Sequence, residues 1–110
     1  QAYDFIDVED VARCNICSLA SDVVDEFYNV GTGVQTTIKE LCSTILELRQ
    51  SDLEVTYNPY NEDDARRLVQ NRIGCPKKAA TDLGFNYKYD LRTGLQRLID
   101  WRKTHYSENY

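Results

Sequence analysis

Apolar residues recur at intervals of three and four in three stretches of the chain. Val8, Val11, Ala12, Ile16 and Leu19 form the first, the spacing of one face of a helix with about 3.6 residues per turn. Asp7 stands where an N-cap belongs, and Glu9 and Asp10 suit the positive first turn, so a helix is expected to end near Ala20-Ser21-Asp22. Ile38, Leu41, Cys42, Ile45, Leu46 and Leu48 form the second stripe, and Thr37 with Glu40 has the form of a capping box, which predicts a helix over residues 37–49. Leu91, Leu95, Leu98, Ile99 and Trp101 form the third, capped by Asp90, with a tail expected to fray beyond about residue 104. A shorter helix is framed by Pro76 at its start and Gly84 just past its end.

Between these stripes the pattern changes. Tyr3-Asp4-Phe5-Ile6-Asp7 reads as a short extended segment, and Phe27-Tyr28-Asn29-Val30 as a β-prone run stopped by Gly31-Thr32-Gly33. Leu53-Glu54-Val55-Thr56-Tyr57 alternates apolar and polar and ends at Asn58-Pro59, as a strand entering a loop would. Residues 59–64 read as an acidic loop. Residues 65–73, which mix Arg66, Arg67 and Arg72 with Leu68, Val69 and Ile73, read as extended. The expected architecture is a small α/β unit of short strands with about four helices.

With 110 residues, 42% hydrophobic and 28% charged, the chain is one globular domain and not a disordered segment. No apolar run approaches the ~18 residues of a membrane span, and Gln1-Ala2-Tyr3-Asp4 does not read as a secretory leader. The absence of Met suggests a segment of a longer protein. A net charge of -5 conceals ten bases against four acids in residues 65–110. That acidic total lacks the broad basic face that nucleic acid requires, but it permits a small anion held by two or three guanidinium or ammonium groups. Cys14 and Cys17 have metal-ligand spacing, yet Cys42 and Cys75 stand far apart rather than as a second pair. All four are therefore expected to be free thiols in a reducing, cytoplasmic setting.

The residues Asn29-Val30-Gly31-Thr32-Gly33 followed by a capped helix resemble the last third of extended short-chain dehydrogenase/reductases, the family of UDP-glucose 4-epimerase and related nucleotide-sugar dehydratases. In the same order, Asp4-Phe5-Ile6-Asp7-Val8-Glu9-Asp10-Val11-Ala12 is similar to most of the family's Arg-Asp-Phe-x-x-Val-x-Asp-Val-Ala segment. Leu83-Gly84-Phe85 matches its Leu-Gly-Trp/Phe step, and Gly94-Leu95 with Trp101 its closing helix. The resemblance implies a carboxy-terminal, substrate-binding lobe that holds the nucleotide and diphosphate of a sugar donor. NAD would be held by a missing amino-terminal Rossmann domain carrying a Gly-rich turn and a Tyr-x-x-x-Lys pair. This chain has neither motif, so no cofactor is expected on the chain itself and catalysis by these residues alone is not.

Two departures matter. Tyr3 occupies the position of the family's Arg before Asp-Phe, and Tyr60-Asn61-Glu62-Asp63-Asp64 replaces an Arg-x-x-Gly-Asp loop. Both usual cation positions are Tyr, so Arg66, Arg67 or Arg72 are candidates for the phosphate role, a guanidinium being able to bind phosphate in a bidentate fork. The substrate-binding candidates are Arg72, Asn71, Tyr3, Tyr60 and Arg66, each weighed against a plainer role: surface ion pair for Arg, half-buried packing for Tyr. The Gly31-Thr32-Gly33 loop can present amides to an anion, but a tight strand-to-helix turn is the plainer reading. Glu62-Asp63-Asp64 reads as a solvated run, and His105 has no nearby nucleophile in sequence. The rival function is a stand-alone adaptor module presenting Leu95, Leu98 and Trp101 to a partner.

Overall fold

The computed structural model describes residues 1–106. Three two-residue strands, β1 (Ala2–Tyr3), β2 (Thr36–Thr37) and β3 (Asn71–Arg72), form one sheet in the order β2-β1-β3. The central strand pairs antiparallel with β2 and parallel with β3, with Ala2 opposite Thr37 and Asn71, and Tyr3 opposite Thr36 and Arg72. Ala2 and Thr36 are buried, and since Ala2 faces Thr37 and Tyr3 faces Thr36 in the ladder, they lie on opposite faces of the sheet.

Five helices surround this sheet: α1 (Val8–Ala20), α2 (Ile38–Arg49), α3 (Glu62–Arg67), α4 (Lys77–Leu83) and α5 (Leu91–His105). Their termini follow the expected capping chemistry. Asp7 accepts from the Glu9 amide at 2.8 Å, Asp90 from the Thr93 amide at 2.8 Å, and Thr37 and Glu40 close a reciprocal capping box at 2.7 and 3.1 Å. Gly84 ends α4 with a left-handed φ of 66°, which costs glycine nothing and other residues considerably more. The expected fraying past residue 104 falls mostly on residues 107–110, outside the described residues.

The small α/β class holds, with three corrections. Residues 27–30 and 53–57 are irregular rather than strands. Their β-prone side chains meet no partner strand: Phe27 is 92% and Leu53 76% exposed. The first segment is instead pinned by side chains, with Tyr28 donating to Asp82 at 3.0 Å and Lys78 to the Phe27 carbonyl at 3.0 Å. Third, part of the expected loop and extended stretch is α3, which makes five helices instead of about four. Asn61 caps α3 by accepting from the Asp64 amide at 2.8 Å, its first turn is acidic, and Arg66 and Arg67 stand in its last. That charge order complements the helix dipole, and it was present in the sequence.

The hydrophobic core cluster lies between α1 and α4, where Cys14, Ala79 and Phe85 are buried and Ile6, Cys17, Tyr28, Val30 and Leu83 close around them. Asp10 is also fully buried. Its carboxylate accepts from the amides of Lys88 and Tyr89 at 3.0 Å each and from Arg13 at 2.6 Å, which tethers α1 to the segment leading into α5. Beyond this cluster the molecule is thin. Its extents are 49 × 39 × 20 Å and its radius of gyration is 17.0 Å, against about 13 Å for a self-contained domain of this length.

Candidate functional site

Because Tyr3 and Arg72 are register partners on neighbouring parallel strands, their side chains emerge on the same face of the sheet. The Tyr3 hydroxyl donates to the Val69 carbonyl at 2.9 Å, and its ring meets Phe5 edge-on with centroids 6.2 Å apart. From the other side, α3 brings Asp64 and Arg67, which are three residues apart and so share a helix face. Together with Tyr60, Leu68 and Val69 these groups line a shallow cleft of about 370 Å³.

Of the residues named from sequence, Tyr3, Tyr60 and Arg72 meet in this cleft. Asn71 does not line it; its side-chain oxygen accepts from Gln35 at 3.4 Å. Arg66 sits in the last turn of α3 outside the lining, and Arg67 takes the place beside Arg72. Asp64, which the sequence places in a solvated run, also lines the cleft. The signal for it was the cap at Asn61, which fixes the phase of α3 and puts Asp64 on the face of Arg67. Tyr60 approaches the Gln1 side-chain oxygen at 3.5 Å, the outer edge of a hydrogen bond. Among the described residues, neither Arg67 nor Arg72 has a side-chain hydrogen bond or ion-pair partner. The cleft therefore offers two uncommitted guanidinium groups, an aromatic ring held by its hydroxyl, and one carboxylate. That set suits a ligand joining an anionic group to a flat or hydroxyl-bearing one.

The glycine loop has a different task. Asp4 accepts from the Thr32 amide at 2.9 and 3.1 Å, from the Thr32 hydroxyl at 2.5 Å and from the Gly33 amide at 2.8 Å. A carboxylate thus already occupies the position an anion would take, and the loop is a turn clamped from within. Gly33 has a φ of 76°, which the turn requires and which glycine adopts freely.

Elsewhere the polar groups serve the fold. Burial works against the charge of Asp10, but the hydrogen bonds from Tyr89, Arg13 and Lys88 outweigh it and hold its carboxyl below the usual range. All four cysteines are free thiols, and burial, with Cys17 nearby, pushes the Cys14 thiol up. Among the described residues no group of three His, Cys, Asp or Glu is placed to hold a metal ion. His105 is stacked on Trp101 at 4.4 Å, with Nδ1 2.8 Å from the Trp101 carbonyl. No helix is long and apolar enough to cross a membrane among the described residues.

A second feature is apolar. Phe5, Ile6, Val8, Leu41, Leu91, Leu95 and Leu98 line a groove of about 310 Å³ where α1, α2 and α5 converge. Leu98 and Trp101 extend it toward the end of α5. Val8 is 78% exposed and Trp101 50%.

No family model matches the chain. A putative UDP-glucose 4-epimerase of Methanocaldococcus jannaschii is 31% identical over 103 residues, which is 94% of this chain and 32% of that protein. The UDP-glucose 4-epimerase of Thermotoga maritima, solved with UDP-glucose, superposes with a TM-score of 0.81 at 32% identity over 93% of this chain and 32% of that one. The enzyme WbmF of Bordetella bronchiseptica, solved with NAD+ and UDP, gives a TM-score of 0.79 at 31% identity over 97% of this chain and 30% of that one. The chain spans about a third or less of the length of the curated relatives it matches.

Proposed function

The chain belongs to the extended short-chain dehydrogenase/reductase family of NAD-dependent nucleotide-sugar epimerases and dehydratases, and from that premise we propose that it is the carboxy-terminal lobe that binds the nucleotide diphosphate of a sugar donor. Arg72 and Arg67 hold the diphosphate. Tyr3 and Tyr60 flank the planar or sugar part, with Asn71 and Arg66 at the margin. The carrying observation is the cleft itself: two guanidiniums without partners among the described residues, opposite Tyr3 on the adjoining strand. Each guanidinium can form a bidentate contact to phosphate. Tyr3 and Tyr60 stand where other members carry arginines, so in this chain the positive charge comes from β3 and α3.

The apolar groove beneath α5 is the face on which the companion Rossmann lobe docks. A chain with an accessible surface of 8656 Å², against about 6300 Å² for a compact monomer of its mass, has more surface than it can usefully leave in water. NAD belongs to that companion lobe. The residues here do not fit it, because the glycine loop is filled by Asp4 and no dinucleotide turn is present. The activity of the complete protein is epimerisation or dehydration of a nucleotide sugar; the lobe alone positions the donor and does not turn it over.

Calorimetric titration of UDP, UDP-sugars and GDP-sugars into the chain tests this. Saturable heat with a nucleoside diphosphate, lost in Arg72→Ala, is expected. Absence of heat with every nucleotide would favour the adaptor reading, in which Leu95, Leu98 and Trp101 serve a protein partner.

A further inference from the structure

We infer that Asp4, which does not line the cleft, is a positioning residue for it, fastening the strand that carries Arg72 to the turn at residues 31–33. The inference rests on the reading of the cleft as a donor site. The Asp4 amide donates to the Arg72 carbonyl at 2.9 Å, while its carboxylate receives the amides of Thr32 and Gly33 and the Thr32 hydroxyl. One residue therefore joins β1, β3 and the turn.

The packing around it is close. A Cβ added to Gly31 would stand 2.6 Å from the Asp4 carboxylate and 3.4 Å from the Gly74 Cα, and one added to Gly74 would stand 3.6 Å from the Gly31 Cα. The backbone two residues beyond Arg72 thus lies directly on the turn that Asp4 holds. The other bonds to this edge, from the Ala2 amide to Gln70, the Tyr3 hydroxyl to Val69 and the Gln35 side chain to Asn71, all lie before Arg72. β3 has two residues, both exposed, and pairs only with β1. If the turn drifts, Gly74 loses its seat and the direction of Arg72 is no longer set. Positioning effects of this kind are large when a ligand group must be met within about 1 Å.

Asp10 provides an internal control, since its carboxylate likewise receives two backbone amides but ties α1 to the approach to α5, away from the cleft. In the full-length polypeptide carrying this chain, Asp4→Asn and Asp10→Asn are compared by melting temperature, UDP affinity and amide hydrogen exchange. Asparagine keeps the shape of Asp4, but it offers one acceptor oxygen and turns an N–H toward the remaining donors. Both variants are expected to melt lower. Asp4→Asn is expected to weaken UDP binding about tenfold, while Asp10→Asn leaves it within about twofold. Exchange should accelerate together at residues 31–33 and 70–74 in Asp4→Asn and at neither in Asp10→Asn. Equal affinity losses in the two variants would overturn the inference, as would acceleration at residues 31–33 without residues 70–74. If the unaltered protein fails to bind UDP, the donor-site reading fails, and the exchange pattern alone still decides whether Asp4 couples the turn to β3.

Discussion

The hydroxyl of Tyr3 donates to the carbonyl of Val69 at 2.9 Å, across 66 residues of sequence. Tyr3 ends the central strand β1 and Val69 precedes the strand of Arg72, so the bond ties together two residues of the cleft lining. It also means that the hydroxyl is engaged in the fold, which leaves the ring for a ligand.

Tyr3→Phe removes that bond and keeps the ring. It should lower stability by about 1 kcal/mol while changing nucleotide affinity little. Tyr3→Ala should weaken affinity by about fivefold or more, the usual effect of losing an aromatic stacking surface. Melting curves and UDP titrations on both variants distinguish the roles; equal affinity loss in the two would assign the contact to the hydroxyl.

Arg72→Ala should weaken UDP binding by about 1.5–3 kcal/mol, the range for hydrogen bonds to charged groups. Arg72→Lys should restore only part of it, because an ammonium cannot form the planar two-point contact. Arg67→Ala should act in the same direction, and Arg66→Ala, outside the cleft, should bind nearly as the unaltered chain does. Titration calorimetry across the series checks the order.

Stability should fall on acidification. The Asp10 carboxyl is held below its ordinary value of 3.8, with its hydrogen bonds overcoming burial. Asp90 is lowered by the Thr93 amide and Glu40 by the Thr37 amide. A carboxyl lowered in the folded state stabilises it above the unfolded value and loses that contribution as pH falls through the folded value. Melting temperature should therefore drop steeply below about pH 4, and Asp10→Asn should flatten that dependence. An unchanged slope in the variant would remove Asp10 from the account.

Tyr28 supplies the opposite case. Burial, the hydrogen bond to Asp82 and the charges of Asp82 and Glu26 push its phenol up to about 12. Its contribution is present below the ordinary value of 10.0 and lost as pH rises through about 12. Spectrophotometric titration should show a Tyr28 component at about 12, and Asp82→Asn should move that component to lower pH.

Legibility of the fold followed the range of the interactions. The starts of α1, α2 and α5 were readable because caps at Asp7, Thr37 and Asp90 bond to amides two or three residues away, and the end of α4 was marked by Gly84. The supposed strands at residues 27–30 and 53–57 were not, since β-propensity describes how a residue suits a pleated surface and says nothing about whether a partner strand arrives. Residues 36–37 became a strand because β1 lies beside them, a fact with no local signal. In the cleft, Tyr3 and Tyr60 were legible because they stand where the resembled family has arginines, and Arg72 because it is one of the guanidiniums that could replace them. Choosing between Arg66 and Arg67 required the phase of α3, and finding Asp64 required the same. The role of Asp4 spans residues 4, 32 and 72 and could emerge only from the assembled fold.

The most direct test is a UDP titration of the isotopically labelled chain, followed by amide and guanidinium NMR shifts. The donor-binding account predicts saturable changes centred on Tyr3, Tyr60, Asp64, Arg67 and Arg72. Shifts absent altogether, or confined to the apolar groove around Leu95 and Leu98, would contradict it.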